Sequence, residues 1–350
     1  GSYPTEDIYN TSEANRAAAT AGIVAGNSLG WARAANIYSL NYSLVGSVAN
    51  AFKWVTNFHN SKSINPVTKF KNPTVVVCEY NSVQTTTSSS ITSVTHRGTV
   101  YTGPFNQTQL ASYGILAPFA TRGDNTIYTV VNGASDVATT NWVNTATSAG
   151  VIVIGSAGDY SSYITKSTTG NYHNYYNIGA SQYFYHQGSA ITSATDVIVV
   201  GALDSTVEQQ KAKYSGNGAG VDIFAPGSDQ LTVFNTMLGV KNNTLNAYQP
   251  ATRDNRNSDY FVGKDSGVVY AAANVAGYVA CLSQINPTLT SADAKSLITN
   301  NAVTDILTDS LIGYGVNNDI NGADNLVMQT VFPNYNETIT AFVNGSTATT

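Results

Sequence analysis

The stretch GVVYAAANVAG, Gly267–Gly277, predicts the first half of a buried helix, because small or apolar side chains surround it on every side. The apolar pattern continues to Asn286, which extends the predicted helix over residues 268–286. A helix this apolar belongs at the centre of a domain. The stretch contains no serine, threonine or histidine, the side chains most often used in nucleophilic catalysis.

Short apolar runs alternate with helical patterns along the rest of the chain. The predicted helices are 14–26, 48–60, 138–149 and 290–299, and the predicted strands are 37–45, 74–79, 151–155, 197–201 and 221–225. Continuous Val- and Ile-rich strands are typical of a sheet covered on both faces. The alternation therefore predicts an α/β fold with three layers and a mostly parallel sheet.

Two polar segments interrupt this pattern. Residues 85–121 are rich in Thr and Ser and are expected to be irregular, and residues 160–187, crowded with Tyr and Asn, are expected to form a loop-rich insertion. We expect an N-terminal segment over residues 1–14, one domain over residues 15–330, and a C-terminal tail or linker over residues 331–350.

Composition limits the classes of partner. The chain has 350 residues, of which only 11% are charged, and a formal net charge of −5, so a nucleic acid partner is not expected. No apolar run approaches the roughly 18 residues of a membrane-spanning helix. Asn, Ser, Thr and Tyr predominate among the polar residues, which favours an extracellular or virion setting. Cys78 and Cys281 lie in apolar runs and are expected to be buried thiols, with a disulfide as the alternative.

The residue types that carry chemistry are sparse. The four histidines, at positions 59, 96, 173 and 186, show no metal-ligand spacing, and no glycine-rich phosphate loop is present. We therefore expect no metal and no cofactor. Glu79 and Asp159 lie at or just after strand ends, where an open parallel sheet places its ligand crevice.

Six segments follow one another in an order that resembles the subtilisin-like serine peptidases, over residues 15–328. They are AGIVAG with GWARAANIYSL (21–26 and 30–40), TSAGVIVIGSAGDYSS (147–162), DVIVVGALDS (196–205), VDIFAPGSD (221–229), GVVYAAANVAG (267–277) and LIGYGVNNDINGADNL (311–326). The resemblance implies the subtilisin fold. In that family a first strand carries the catalytic aspartate, and this sequence has too few residues before position 15 to supply it, so the first strand is expected to be missing.

The resemblance also assigns the family's catalytic positions, and none holds the family's residue. Val269 stands at the position of the nucleophilic serine, Arg16 at that of the histidine and Asp159 at that of the oxyanion-hole asparagine, while Glu79 and Tyr80 replace the substrate-binding strand. Valine cannot attack a carbonyl carbon, and arginine, which is always protonated, cannot act as a general base. The resemblance thus implies a pseudoenzyme that has a structural or protein-interaction role, through a protein partner or self-assembly.

Several alternatives remain open at this stage. Arg16 could pair with Glu79 or Asp159 as a structural ion pair. An active peptidase with shifted residues would use Ser266 and Glu13, with Asp159 in the oxyanion hole as in the acid-acting sedolisins. A precursor segment or partner chain could supply the first strand. A glycan- or protein-binding module could use the tyrosines of residues 160–187, since tyrosine is enriched at interfaces.

Overall fold

The computed structural model describes most of the chain. The described residues are 12–42, 44–78, 80–81, 83–115, 126–133, 136–159, 161–205, 210–234, 241–242, 247–248, 252–254, 257–307, 320, 322–330, 341–343 and 346–348. Glu79 and most of residues 331–350 therefore lie outside them.

Six α-helices lie within the described residues, and five of them were predicted. They are α1 (Ser12–Ala25), α2 (Val48–Ser61), α3 (Gln107–Ser112), α4 (Val137–Ser148), α5 (Val268–Ile285) and α6 (Ser291–Asn300). Local chemistry sets several of their ends. The helix α6 begins with a reciprocal capping box between Thr290 and Asp293, and α2 begins where the Ser47 hydroxyl accepts the Asn50 N–H.

Short strands make up the remaining regular structure. In chain order they are β1 (Thr74–Cys78), β2 (Val83–Thr87), β3 (Ser93–His96), β4 (Thr99–Thr102), β5 (Thr126–Val130), β6 (Asn132–Gly133), β7 (Val151–Ser156), β8 (Tyr175–Ile178), β9 (Ser181–Phe184), β10 (Ile198–Leu203), β11 (Ile223–Pro226), β12 (Gln230–Phe234), β13 (Lys241–Asn242), β14 (Ala247–Tyr248), β15 (Thr252–Asp254), β16 (Asn257–Asp265), β17 (Val303–Thr304), β18 (Leu326–Val327), β19 (Ala341–Val343) and β20 (Ser346–Ala348).

The central sheet has the order β1-β7-β10-β11-β18-β17, and only β17 is antiparallel to its neighbour. Helix α5 packs on β1, β7, β10 and β11. Helix α4 also packs on β7, and α2 packs against α4. Every residue of β7 is buried, as expected for a strand covered on both faces. The prediction of an α/β fold with three layers and a mainly parallel sheet is confirmed.

A second unit, the antiparallel lobe, consists of β2–β6, α3, β8 and β9. Its larger sheet has the order β4-β3-β8-β9-β6, and β2 pairs with β5. The lobe has its own core, which includes Ile91, Val94, Leu110, Ile127 and Tyr176. The expectation that residues 85–121 are irregular was therefore wrong for β2, β3, β4 and α3, and so was the loop assignment for residues 175–184; residues 116–121 lie outside the described residues. Cross-strand side-chain packing stabilises these strands although their sequences are polar.

A hairpin that sequence analysis did not predict lies between β11 and α5. Strands β12 and β16 pair antiparallel, with β15 on the outer side of β16. The hairpin sits closely on α1: the Thr232 hydroxyl donates to the Ala19 carbonyl at 2.6 Å, and a Cβ atom at Gly22 would lie 2.7 Å from Thr232 Oγ1. Only glycine permits this approach of the helix to the strand.

The predicted strand over residues 37–45 was wrong. Residues 31–42, which we call the strap, lead from the α1–α5 side of the sheet towards α2 and pair with no strand among the described residues. Ile37 and Tyr38 are exposed, so the apolar alternation that suggested a strand does not report a buried face here. The described part of the central sheet accordingly ends at β1.

Two further sequence predictions can be compared with the fold. Helix α5 is long and apolar enough to cross a membrane, but 78% of it is buried inside the protein, as in the core helix of a globular domain. It is the only such helix in the described residues. Cys78 and Cys281 are both thiols, half-buried rather than fully buried.

Within the predicted tail, β19 and β20 pair with each other.

Candidate functional site

The candidate site lies where the parallel strands end and α5 begins. Asp159 follows β7 by three residues, and its Oδ1 accepts the N–H of Val268, the first residue of α5, at 2.7 Å. The N–H of Gly267 donates to the carbonyl of Gly227, directly after β11. Two strand ends are thus joined to the helix N-terminus, at the edge where open parallel sheets form their ligand crevice.

Asp159 also forms an ion pair with Arg16. The Asp159 Oδ2 and Arg16 Nη2 atoms are 3.6 Å apart, and each side chain is 26% exposed. Both interactions of Asp159 are with donors, and the positive end of the helix dipole favours a carboxylate at this place. The structure brings together two residues that the sequence placed at the histidine and oxyanion positions. Glu79, the other acid considered for Arg16, lies outside the described residues.

Val269 is 2% exposed and lies in an apolar cluster between α5, α1 and the hairpin. We call this group the crevice cluster: Val269 with Ala19, Ile23, Phe234, Phe261, Tyr270 and Ala273. Helix α1 supplies Ala19 and Ile23, and the hairpin supplies the two phenylalanines. Apolar side chains therefore fill the space beside the position where the resemblance places a nucleophile.

The histidines lie elsewhere in the fold. His59 lies in the last turn of α2. Its Nδ1 shares a hydrogen bond of 2.8 Å with the hydroxyl of Thr74, the first residue of β1. His96 and His186 belong to the antiparallel lobe and both contact Asn174, and the ring of His173 contacts Tyr172. None of the four contributes to the crevice cluster or to the ion pair.

A polar pair beside the crevice cluster was not predicted from the sequence. Asp265 is 1% exposed, and it accepts the Tyr270 hydroxyl at 2.6 Å and the Ser266 N–H at 2.9 Å. Burial raises the pKa of the Asp265 carboxyl group, while these hydrogen bonds and the charge of Arg16 oppose the increase. The Ser266 hydroxyl accepts the N–H of Asp229 at 2.9 Å, so Ser266 joins the two ends of the hairpin.

Asn274, on α5, forms a second network that sequence analysis missed. Its amide nitrogen donates to the Pro226 carbonyl and to Gln230 Oε1, and its Oδ1 accepts the indole N–H of Trp31, each at 2.9 Å. The strap, the end of β11 and the hairpin are thus fixed to the central helix. The sequence contained one signal of this network: Asn274 is an amide within an apolar stretch of the helix, and buried amides require hydrogen-bond partners.

Tyr80, assigned to the substrate-binding strand, is half-buried just beyond β1. Its ring lies 5.5 Å from that of Tyr42, in an edge-on contact. The next residue, Asn81, donates from Nδ2 to the Ser156 hydroxyl at 3.0 Å, which joins the ends of β1 and β7. An aromatic contact from the strap therefore lies beside this strand end.

Two tyrosines of the predicted insertion are buried and used for packing. Tyr176 and Tyr185 are 0% and 2% exposed and stack on each other with ring centroids 5.9 Å apart. The Tyr176 hydroxyl shares a hydrogen bond of 2.7 Å with Thr129. These two rings form part of the lobe core and present no exposed binding surface.

Among the described residues no group of three or more His, Cys, Asp or Glu could hold a metal ion.

Comparison with known proteins gives a consistent family match. A family model described as "Subtilase family", peptidase S8, matches residues 5–315. No curated protein matches the chain. Among solved structures, the chain is similar to a cold adapted subtilisin-like serine proteinase, with 16% identity over 90% of this chain and 74% of that one, at a TM-score of 0.47. It is also similar to proteases from Pseudoalteromonas arctica, with 18% identity over 87% and 67%, at a TM-score of 0.43.

Proposed function

Because the chain belongs to the subtilase family, whose members are normally serine peptidases, we propose that it is a catalytically inactive subtilase that serves as a structural or protein-interaction scaffold. The observation that carries the proposal is the environment of Val269. At the position that the resemblance gives to the nucleophile, the side chain is an alkyl group, packed among other apolar groups and 2% exposed. No oxygen is available there to attack a peptide carbonyl.

The groups that would activate a nucleophile support the same proposal. Arg16, at the histidine position, carries a permanent positive charge and cannot accept a proton. Its partner Asp159 lies at the position that the resemblance gives to the oxyanion donor, where its carboxylate accepts the Val268 N–H and forms the ion pair with Arg16. A negative oxygen there would repel the oxyanion that forms in the transition state. Loss of one such donor alone costs about 3 kcal/mol of transition-state stabilisation.

The rival function is an active peptidase that uses Ser266. The Ser266 hydroxyl accepts the backbone N–H of Asp229. The carboxyl group of the adjacent Asp265 accepts the Ser266 N–H rather than the Ser266 hydroxyl. The other oxygen of Asp265, Oδ2, accepts the hydroxyl of Tyr270. This arrangement supports a structural use of Ser266, at the junction of the hairpin and α5. The side chain of Glu13 lies outside the described residues.

The experiment combines labelling and proteolysis. We expect the purified protein not to react with a fluorophosphonate probe and not to cleave unfolded casein at neutral or acid pH. If the wild type is active, Ser266→Ala should be compared with Ser296→Ala, which replaces an exposed serine on α6. Activity that S266A removes and S296A retains would overturn the proposal in favour of the shifted peptidase.

The setting forms part of the same proposal. Subtilases are often secreted, which supports an extracellular location, and the composition, poor in charge and rich in Asn, Ser, Thr and Tyr, supports either that location or a virion. An antibody against the protein should detect it in culture medium or in purified particles. Detection in washed cells alone would contradict this part of the proposal without affecting the catalytic part.

A further inference from the structure

Exposed apolar side chains are concentrated around one edge of the central sheet. Of the 14 large apolar side chains exposed among the described residues, seven lie between residues 37 and 70. They are Ile37, Tyr38, Tyr42, Leu44, Ile64, Val67 and Phe70. We call this group the edge patch. A grouped set of exposed apolar side chains marks a surface that another molecule covers more often than isolated exposed residues do.

The contacts of the edge patch place it at both ends of β1. At the end of the strand, Tyr42 packs against Tyr80. At its beginning, the turn that carries Ile64, Val67 and Phe70 is fixed by Lys62, whose Nζ donates to the Pro73 carbonyl and to Thr74 Oγ1. Tyr38 packs on Phe58 of α2, with ring centroids 4.8 Å apart. Apolar groups of the patch thus lie beside both ends of β1.

The backbone of β1 offers a second means of binding at the same place. Among the described strands, only β7 pairs with Val75, Val76 and Val77, so their other side forms the sheet edge. These residues are half-buried, whereas every residue of β7 is buried. An edge strand presents N–H and C=O groups that an added extended segment can pair with.

Charge identifies the chemistry of the segment that fits. Residues 14–78, between Glu13 and Glu79, contain six Lys or Arg residues and no Asp or Glu, although the whole chain has 16 basic and 21 acidic residues. Of the six, Lys69 and Lys71 lie in and next to the turn that carries Ile64, Val67 and Phe70, and both lie beside the part of the patch at the beginning of β1. Basic groups beside exposed apolar groups, in a protein with net negative charge, are complementary to a ligand that has apolar and acidic side chains.

We infer that the edge patch and the outer edge of β1 bind an extended segment of a partner protein, with apolar side chains flanked by carboxylates. The inference deepens the proposed interaction role, but it depends on binding and not on the loss of proteolysis. An anionic membrane would also match apolar and basic groups. A lipid surface, however, cannot pair with a strand edge, so the position of the patch along β1 favours a polypeptide.

The first test uses a fluorescent eight-residue peptide of alternating valine and glutamate. Its affinity by fluorescence anisotropy should exceed that of the matched valine–lysine peptide by about tenfold or more. N-methylation at alternate residues of the acidic peptide should abolish binding, because it removes the donors for edge pairing. On binding, amide hydrogen exchange should slow at residues 74–78.

The second test uses pairs of variants with matched exposure. Val67 and Val100 are 63% and 64% exposed, and only Val67 belongs to the edge patch. Val67→Ser should weaken binding of the acidic peptide severalfold, and Val100→Ser should not change it. Lys69→Glu should likewise weaken binding, in contrast to Lys264→Glu on the exposed side of the hairpin.

Four outcomes would overturn the inference. The two peptides could bind equally, or V67S and V100S could have equal effects. Binding to phosphatidylserine vesicles without binding to the acidic peptide would assign the patch to a membrane. A dimer in sedimentation analysis that V67S dissociates, again without peptide binding, would assign it to a second copy. Each result leaves the fluorophosphonate test unchanged, so the two proposals can fail separately.

Discussion

The crevice cluster and the antiparallel lobe are both largely buried, but they are built from opposite kinds of side chain. Around Val269 the packing groups are aliphatic and aromatic, in a place where an α/β fold usually has polar, functional residues. In the lobe, buried groups include one imidazole, an amide and two phenols. The difference shows that the lobe core includes polar, hydrogen-bonded side chains, whereas alkyl and aromatic groups fill the crevice cluster.

The lobe network explains how such groups are buried. Asn174, which is 0% exposed, lies 3.1 Å through Nδ2 from the Nδ1 atoms of both His96 and His186. Its Oδ1 accepts the Arg97 N–H at 2.6 Å. Since the amide donates to both rings, the geometry requires both imidazoles to accept through Nδ1 and therefore to be neutral. Hydrogen bonding compensates for the desolvation of Asn174 and of both Nδ1 atoms, whereas the buried Nε2 of His186 has no hydrogen-bond partner among the described residues.

The largest effect is expected from removing the central ring of the lobe. Tyr176→Ala should destabilise the lobe by about 4 kcal/mol, because it leaves a cavity and breaks the bond to Thr129. Amide exchange should speed up at β3, β8 and β9 and stay slow at β7 and β10. Equal loss of protection in both sheets would show that the two regions unfold as one unit.

Acid should destabilise the lobe through His186. Burial, and then the proximity of His96, lower the pKa of His186 from 6.5 to about 3. Between these values the unfolded chain binds a proton that the folded lobe does not, so stability is retained above pH 6.5 and falls as the pH decreases towards 3. The expected loss is roughly 3 kcal/mol by about pH 4.

Denaturant unfolding across this pH range would measure the effect. His186→Gln keeps a polar side chain and removes the titration, so its stability should vary less with pH than that of the wild type. His173→Gln is the matched control, since His173 is exposed. If both variants keep the acid dependence of the wild type, another group causes it.

A smaller effect should follow from placing a hydroxyl group in the crevice cluster. Val269→Thr conserves shape and should cost about 1–2 kcal/mol, because the hydroxyl group enters an apolar environment. Val100→Thr, at an exposed position, should be nearly neutral. The V269T variant should also fail to react with a fluorophosphonate, since none of the four histidines lies in the crevice cluster to act as a base. Labelling of V269T would show that the crevice retains a usable base.

The smallest effect is expected at the ion pair between Arg16 and Asp159. A double-mutant cycle with Arg16→Ala and Asp159→Asn should give a coupling free energy of about 0.5 kcal/mol, because both side chains are partly exposed and solvent screens them. High salt should reduce it further. A coupling several times larger would indicate that the pair has a dominant role in closing the crevice.

The central sheet could be predicted from the sequence because its strands are continuous apolar runs, as in VIVIG at 151–155. The lobe could not, since the strand VQTTT of β2 has little apolar content and depends on its partner β5. Two hairpin signals were present. Arg97 and Gly98 both have positive φ in the two-residue turn between β3 and β4, and Gly179 does in the turn between β8 and β9.

For the site, the resemblance supplied Arg16, Asp159 and Val269, and the structure brings the first two into contact. Asn274 was missed because its partners are set by tertiary packing. Asn274 bonds with Trp31, 243 residues away in the chain, and no local pattern reports such a pairing. The apolar alternation at 37–45 misled for the complementary reason: the strap pairs with no strand among the described residues.

The close packing of the hairpin against α1 limits how the protein could change during evolution. Because Gly22 and Thr232 lie against each other and the hairpin phenylalanines cover Val269, no point substitution at that valine would reopen a groove for substrate. Under the proposed inactive role, descendants of this chain could gain hydrolysis only after the hairpin was shortened or displaced. Backbone shape, as well as the side chains at the site, would then make that role hard to reverse.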